Sequence, residues 1–398
     1  MPANNLPTPE TTWAGDPRQR DDGGSDGSGG FRATFSRDGG RVIRPRLSRM
    51  DGFVLASGGE NAPAGALPRG GRGASGAGSA YGRAIGSSGG AERGGGPGFD
   101  IPVVPGGYAW WYLDALSEDG QNALTIIAFV GSVFSPYYAW AGRGDPLDHC
   151  AVNVALYGPR GRRWSMTERR RAAVARASDS LSIGPSALSW DGGELTIAIN
   201  EISVPWPGRI RGTIRVRPVG DNARAFTLDG DGGHVWRPIA PRAHAEVHFD
   251  APNSRWNGVA YFDMNSGDEP LEKGFSRWTW SRAALPDGAA ILYDAERRRS
   301  GPLSLALRFD KSGACEDMIA PNKAPLPSTS WRVARETRSE DGFAAVERDL
   351  EDTPFYSRSL IKTRLCGSEV VSVHESLALD RFANPLVRMM LPFRMPRR

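Results

Sequence analysis

The sequence is short of the residues that usually announce a chemistry. Its three cysteines, Cys150, Cys315 and Cys366, are odd in number and far apart, which argues against a disulfide framework and fits a reducing cytoplasmic compartment. Lysine is almost absent, with 4 against 45 arginines, and the net charge is only +4. Nothing in that balance marks a nucleic-acid surface. The arginine row from Arg209 to Arg217 has no interleaved aromatics on which bases could stack, so no nucleic-acid partner is expected. Long hydrophobic runs are missing too. The longest mostly apolar stretch, around Ala123 to Phe134, is well short of the roughly 18 to 20 residues a spanning helix needs. The N-terminus lacks the basic-then-apolar order of a secretory signal.

What is present is unevenly spread. Of the 50 glycines, 25 lie in the first 100 residues, whereas 11 of the 12 tryptophans lie beyond them. Residues 1–97 therefore read as a disordered Gly/Ser/Arg-rich extension, because runs such as 23–30 cannot bury enough apolar area to offset backbone entropy. Two motifs occur in it by composition, Gly71-Arg-Gly73-Ala-Ser-Gly76 and Gly86-Ser-Ser88-Gly-Gly90. Neither follows an expected strand, as a dinucleotide fingerprint or a nucleophile elbow requires.

From Phe99 onward the pattern changes to short segments with a period of two, bounded by Gly, Pro, Asn and Asp. Ile210, Gly212, Ile214 and Val216 alternate with polar neighbours, as do Leu303, Leu305, Leu307 and Phe309. A helix is expected only at Ser165 to Ala177, where Ser165 and Glu168 have capping-box spacing. The expectation is an all-β protein of two consecutive antiparallel barrels, 98–240 and 241–398.

Residues at i and i+2 on a strand share a face. Three such groups could converge on a ligand: His234 with Trp236; Tyr261 with Asp263 and Asn265; Trp278 with Trp280 and Arg282. A carboxyl held among aromatic rings is costly to ionise and stays protonated at neutral pH, so Asp263 could donate a proton. Nearby ring faces would stabilise a developing cation, and an imidazole could orient or deprotonate a water. A metal reading competes. His244, Glu246 and His248 share a strand face, but His244 and His248 stand about 13 Å apart along the backbone, too far for one ion, and no metal site is expected. Cys150 beside His149, and His374 beside Glu375, face opposite ways and make no catalytic pair.

Several longer blocks carry a resemblance. They are Trp111-Tyr-Leu-Asp-Ala115, Phe129 to Tyr138, His149 to Tyr157, Trp164 to Arg169, His234-Val-Trp-Arg-Pro238, Tyr261-Phe-Asp-Met-Asn265, and Gly267 to Glu272 leading into Trp278 to Arg282. With these the chain, over about residues 98 to 395, resembles the carotenoid 1,2-hydratases, also called hydroxyneurosporene synthases. The resemblance implies a pair of lipocalin-like β-barrels. It also implies addition of water, without a cofactor, to the terminal C1=C2 bond of acyclic carotenoids such as neurosporene and lycopene. The residues it marks are His234, Trp236, Tyr261 and Asp263. On that basis Asp263 is expected to protonate C2, Trp236 and Tyr261 to stabilise the tertiary cation at C1, and His234 to position or deprotonate the water. Trp278, Trp280 and Trp111 either line an apolar tunnel or pack the core. A membrane-dissolved substrate implies peripheral association with the cytoplasmic side of the inner membrane, for which Leu386 to Arg398, interleaving Met, Leu and Phe with Arg, is suited. The competing expectation is a lipocalin-like carrier that binds a carotenoid or other lipid without converting it.

Overall fold

The computed structural model describes residues 96–398. The expected extension, apart from its last two residues, lies outside them, as do both glycine-rich motifs.

The all-β expectation holds. One antiparallel sheet contains β1 (Tyr108–Ser117), β2 (Ala123–Val130), β3 (Cys150–Tyr157), β4 (Arg163–Arg169), β5 (Val174–Ala177), β6 (Ser180–Ile183), β7 (Ser186–Trp190), β8 (Leu195–Ile202), β9 (Arg209–Pro218), β10 (Phe226–Thr227), β11 (His234–Ala251) and β12 (Asn253–Gly267). Its order is β4-β3-β2-β1-β12-β11-β9-β8-β7-β6-β5, with β10 on β11. The sheet curls into a nearly closed barrel, so that Arg169 on β4 reaches Glu201 on β8 at 3.0 Å. The second sheet comprises β13 (Phe275–Leu285), β14 (Gly288–Arg297), β15 (Leu303–Asp310) and β16 (Cys315–Asp317). After a two-stranded pair, β17 (Asn322–Leu326) and β18 (Arg335–Ser339), it is completed by β19 (Ala345–Asp352), β20 (Tyr356–Leu365) and β21 (Ser368–Ala378). Its order is β16-β15-β14-β13-β21-β20-β19. Residue 240 falls inside β11, and the chain passes from one sheet to the other between Gly267 and Phe275.

The period of two becomes two cores. On β1 the odd residues Ala109, Trp111 and Leu113 join Ile210, Ile214 and Val216 of β9 inside the first barrel. The even residues Tyr108, Trp110 and Tyr112 join Trp278, Trp280 and Tyr293 of the second sheet in the other core. Burial of large aromatics on both sides is worth about 1.5–3 kcal/mol per side chain, which holds the two sheets together. An ion pair is sealed within the same interface, where Arg282 Nε on β13 donates to Asp114 Oδ1 on β1 at 2.8 Å. Gly212 is required by close packing, because a Cβ there would strike the Phe249 ring of β11 at 2.6 Å.

The expected helix at 165–177 is not one. Those residues form most of β4, a single 3-10 turn at Arg171–Ala173, and β5. β4 pairs with β3 from Arg163 to Arg169, and Glu168, read as a capping residue, is buried against His149 at 2.8 Å. Pairing with a distant strand and a buried charge overrode a local helical pattern.

Candidate active site

β1, β11 and β12 are adjacent, and the same parity points their aromatic residues toward β13, β14 and β21 of the second sheet. Tyr261 and Asp263 share that face, while Ala260, Phe262 and Met264 turn into the first barrel. The carboxyl of Asp263 is held from one side. Tyr261 Oη donates to its Oδ2 at 2.7 Å, and Trp236 Nε1 donates to the same oxygen at 2.9 Å. Oδ1 has no hydrogen-bond partner among the described residues. Burial pushes the Asp263 pKa up to about 8; the two donors pull it down, and the charges of Glu375 and Asp114 add to the rise. The group is therefore a neutral acid near pH 7, with Oδ1 the oxygen free to carry its proton.

Asp263 and Asn265 line a chamber of about 40 Å³, walled also by Trp110, Tyr112, Trp280 and Glu375. Trp110, Tyr112, Trp278 and Glu375 also border a larger cavity of about 500 Å³, so the two spaces adjoin. The larger one is lined mainly by apolar side chains, among them Phe129, Phe134, Phe355 and Leu391. At its rim Trp331, Met390 and Phe393 are 47%, 45% and 81% exposed.

The expected residues divide. Trp236, Tyr261, Asp263, Trp278 and Trp280 come together in one aromatic enclosure, with Tyr261 and Trp280 ring centroids 5.1 Å apart. His234 does not join them. It pairs across the sheet with Gly267, four residues beyond Asp263 and so about 13 Å along the strand. Its Nδ1 shares a hydrogen bond with Tyr108 Oη at 2.9 Å, and its Nε2 faces Glu269 Oε1 at 3.5 Å. Burial lowers its pKa and keeps the ring neutral. Gly267 and Gly274 leave it room, since a Cβ at Gly274 would meet Nε2 at 2.7 Å. Trp111 also lies elsewhere. It faces the first barrel, packs on Phe99 at 5.1 Å, and donates Nε1 to the Pro97 carbonyl.

Sequence reasoning missed Trp110, Tyr112, Tyr293 and Glu375. A signal existed for the first two: Asp114 marks the even face of β1 as the side that carries a buried carboxylate, just as Asp263 marks β12. Glu375 was passed over because His374 faces the other way, and it does, toward the Glu336 carbonyl. Burial raises the Cys150 thiol to about 12, which removes it as a nucleophile. His244, Glu246 and His248 stand exposed along one face of β11, and among the described residues no group of three or more His, Cys, Asp and Glu is placed to hold a metal ion.

The all-β scaffold thus keeps a carboxyl whose pKa is raised by burial between aromatic rings, beside an apolar cavity. The chain belongs to the carotenoid hydratase CrtC family, whose model matches residues 126–398, more than half of its length. It is 51% identical to an acyclic carotenoid 1,2-hydratase from Thiocapsa roseopersicina over 100% of this chain and 99% of that protein. The match to the enzyme of the same name from Rubrivivax gelatinosus is 49%, over 93% of each. The Thiocapsa alignment runs through the N-terminal region, so that region is not an addition peculiar to this chain. Among solved structures, kievitone hydratase from Nectria haematococca aligns at a TM-score of 0.45 with 10% identity, over 73% of this chain and 97% of its own.

Proposed function

We propose that the protein hydrates the terminal C1=C2 bond of acyclic carotenoids such as neurosporene and lycopene, giving a tertiary alcohol at C1. The observation that carries this reading is the protonated Asp263, its Oδ1 unbonded, in a chamber that adjoins a large apolar cavity. The end of the polyene enters the cavity, Asp263 protonates C2, and the positive charge develops at C1 because the tertiary cation is the more stable one. The ring faces of Trp110, Tyr112 and Trp280 stabilise that cation, and the exclusion of bulk water strengthens the effect. Trp236 and Tyr261 hold the acid rather than the cation. His234 acts at one remove: it fixes Tyr108, which stacks at 4.9 Å on Trp110 in the chamber wall.

The test is incubation of the purified protein with lycopene in detergent, without oxygen and with a chelator present. A product heavier by one water is expected. Lycopene retained unchanged by the protein would favour a carrier instead.

The substrate dissolves in lipid, and the exposed apolar rim suits a peripheral contact with the membrane, on its cytoplasmic side. Among the described residues no helix is long and apolar enough to cross a bilayer. Leu386 and Met389 lie beside the rim, 66% and 56% exposed. Leu386→Ser and Met389→Gln, which lie outside the cavity lining, are expected to weaken vesicle binding by about tenfold each, on the usual worth of a buried apolar side chain. Turnover of detergent-dispersed substrate should stay the same. Undiminished sedimentation with vesicles would rule this rim out as the contact.

A further inference from the structure

Addition to an alkene needs two proton transfers, and the proposed acid accounts for only one of them. The second group must sit where water can reach C1, accept a proton, and remain ionised while Asp263 remains neutral.

The small chamber has the polar lining of a water site. A buried water needs roughly 10–15 Å³ and two to four polar partners, and the chamber measures about 40 Å³. Besides Asp263 Oδ1, two buried lining groups have no hydrogen-bond partner among the described residues: the Asn265 Oδ1 acceptor and the Trp280 Nε1 donor. Their residues are 4% and 6% exposed. Leaving such groups unpaired costs about 1–3 kcal/mol each, so they are poised for a ligand that both donates and accepts. Glu375 forms part of the same wall. Among the described residues both of its hydrogen bonds, from Tyr112 Oη at 2.9 Å and Arg358 Nε at 2.8 Å, fall on Oε1, and Oε2 receives none. Arg358 is fully buried and is shared with Tyr157 Oη at 3.0 Å and Glu351 Oε2 at 3.7 Å.

We infer that Asn265 and Trp280 hold the nucleophilic water in this chamber and that Glu375 Oε2 takes its proton. The inference rests on the hydration reading above and assigns the role that the position of His234 leaves open. An amide can hold a water but cannot accept its proton, whereas a carboxylate can. Two carboxyls face one chamber with different partners: Glu375 accepts from the Arg358 guanidinium, while Asp263 accepts only from the neutral donors Tyr261 and Trp236. The O–H bond of Asp263 breaks as the π pair of the alkene forms the C2–H bond. A lone pair of the water then forms the C1–O bond, its O–H bond breaks, and the proton goes to Glu375. Transfer from Glu375 back to Asp263 through water restores the site. Nothing is oxidised or reduced, and the sum is alkene plus water giving alcohol.

Deuterium exchange separates capture from protonation, because a cation that is not captured returns to alkene by losing a proton. In D₂O, with full-length protein and lycopene, Glu375→Gln is expected to lower hydration about 10²- to 10³-fold while unreacted lycopene still gains deuterium. Carotenoid binding should stay within about twofold, since the glutamine oxygen keeps both hydrogen bonds. Asn265→Leu, which leaves Arg358 and Glu375 untouched, should raise the ratio of exchange to hydration at least tenfold. Hydration within threefold of wild type in Glu375→Gln would overturn the inference, as would loss of exchange together with hydration in a folded variant that binds lycopene. If Glu375→Gln does not fold, an unchanged ratio in Asn265→Leu overturns it. Failure of the wild-type protein to hydrate lycopene would instead remove the functional reading beneath it.

Discussion

Asp263→Asn is expected to lower kcat for hydration by about 10²- to 10⁴-fold, the usual worth of a general acid, with little change in carotenoid binding. The amide has nearly the shape of the protonated acid and can still accept from Tyr261 and Trp236, so the enclosure should stay intact. The pH dependence gives a second readout. Activity needs the protonated carboxyl, so wild-type turnover should fall as pH rises through about 8. Stability follows the same group. Its folded pKa lies above the unfolded value, so its contribution is fully present below about pH 4 and is lost as pH rises toward 8. The asparagine variant does not ionise, and above pH 8 it should unfold at a higher temperature than wild type. A variant that is folded and retains near wild-type turnover would eliminate Asp263 as the acid.

Tyr261→Phe and Trp236→Phe should each lower kcat by about 10- to 100-fold, and each should move the alkaline limb of the pH profile upward. Both groups donate to Oδ2 and favour the ionised form, so removing either one raises the Asp263 pKa further. The acid then stays protonated to higher pH but gives up its proton less readily, and it loses a contact that fixes its direction. Loss of rate together with an upward limb distinguishes acid tuning from simple loss of packing, which would lower the rate and leave the limb in place. A limb moving to lower pH would refute the assigned hydrogen-bond direction. The double variant should be less than additive, because both changes act through one oxygen.

The strands were legible because a period of two survives in any half-buried sheet: Ile210, Ile214 and Val216, and Tyr261 with Asp263, could be placed on their faces from spacing alone. Where the pattern failed, the deciding contact was remote in sequence. Ser165 to Ala177 looked helical because the partners of β4, and the His149 that meets Glu168, cannot be read from that stretch. Trp111 was named and Trp110 was not: β1 is aromatic on both faces, so parity says nothing until the second sheet is known to cover one of them. His234 lies two residues from Trp236 on the same face, yet the register that sets it against Gly267 carries it away from Asp263. Glu375 stands 112 residues beyond Asp263, and only the packing of β21 beside β13 brings it to the chamber.

The cavity of about 500 Å³ is the size that takes a drug-like molecule, roughly 300–1,000 Å³, and an acyclic carotenoid is longer than such a molecule. Under the proposed function the polyene is therefore gripped by one end, with its remainder outside the apolar rim. A symmetrical substrate such as lycopene has to withdraw and reverse before its other end can be served. On that reading the two hydrations belong to separate encounters, and the singly hydroxylated carotenoid is expected as a free product that competes with fresh substrate. The ratio of mono- to dihydroxy product is then expected to rise with the supply of fresh substrate, which a time course at varied lycopene concentration would check.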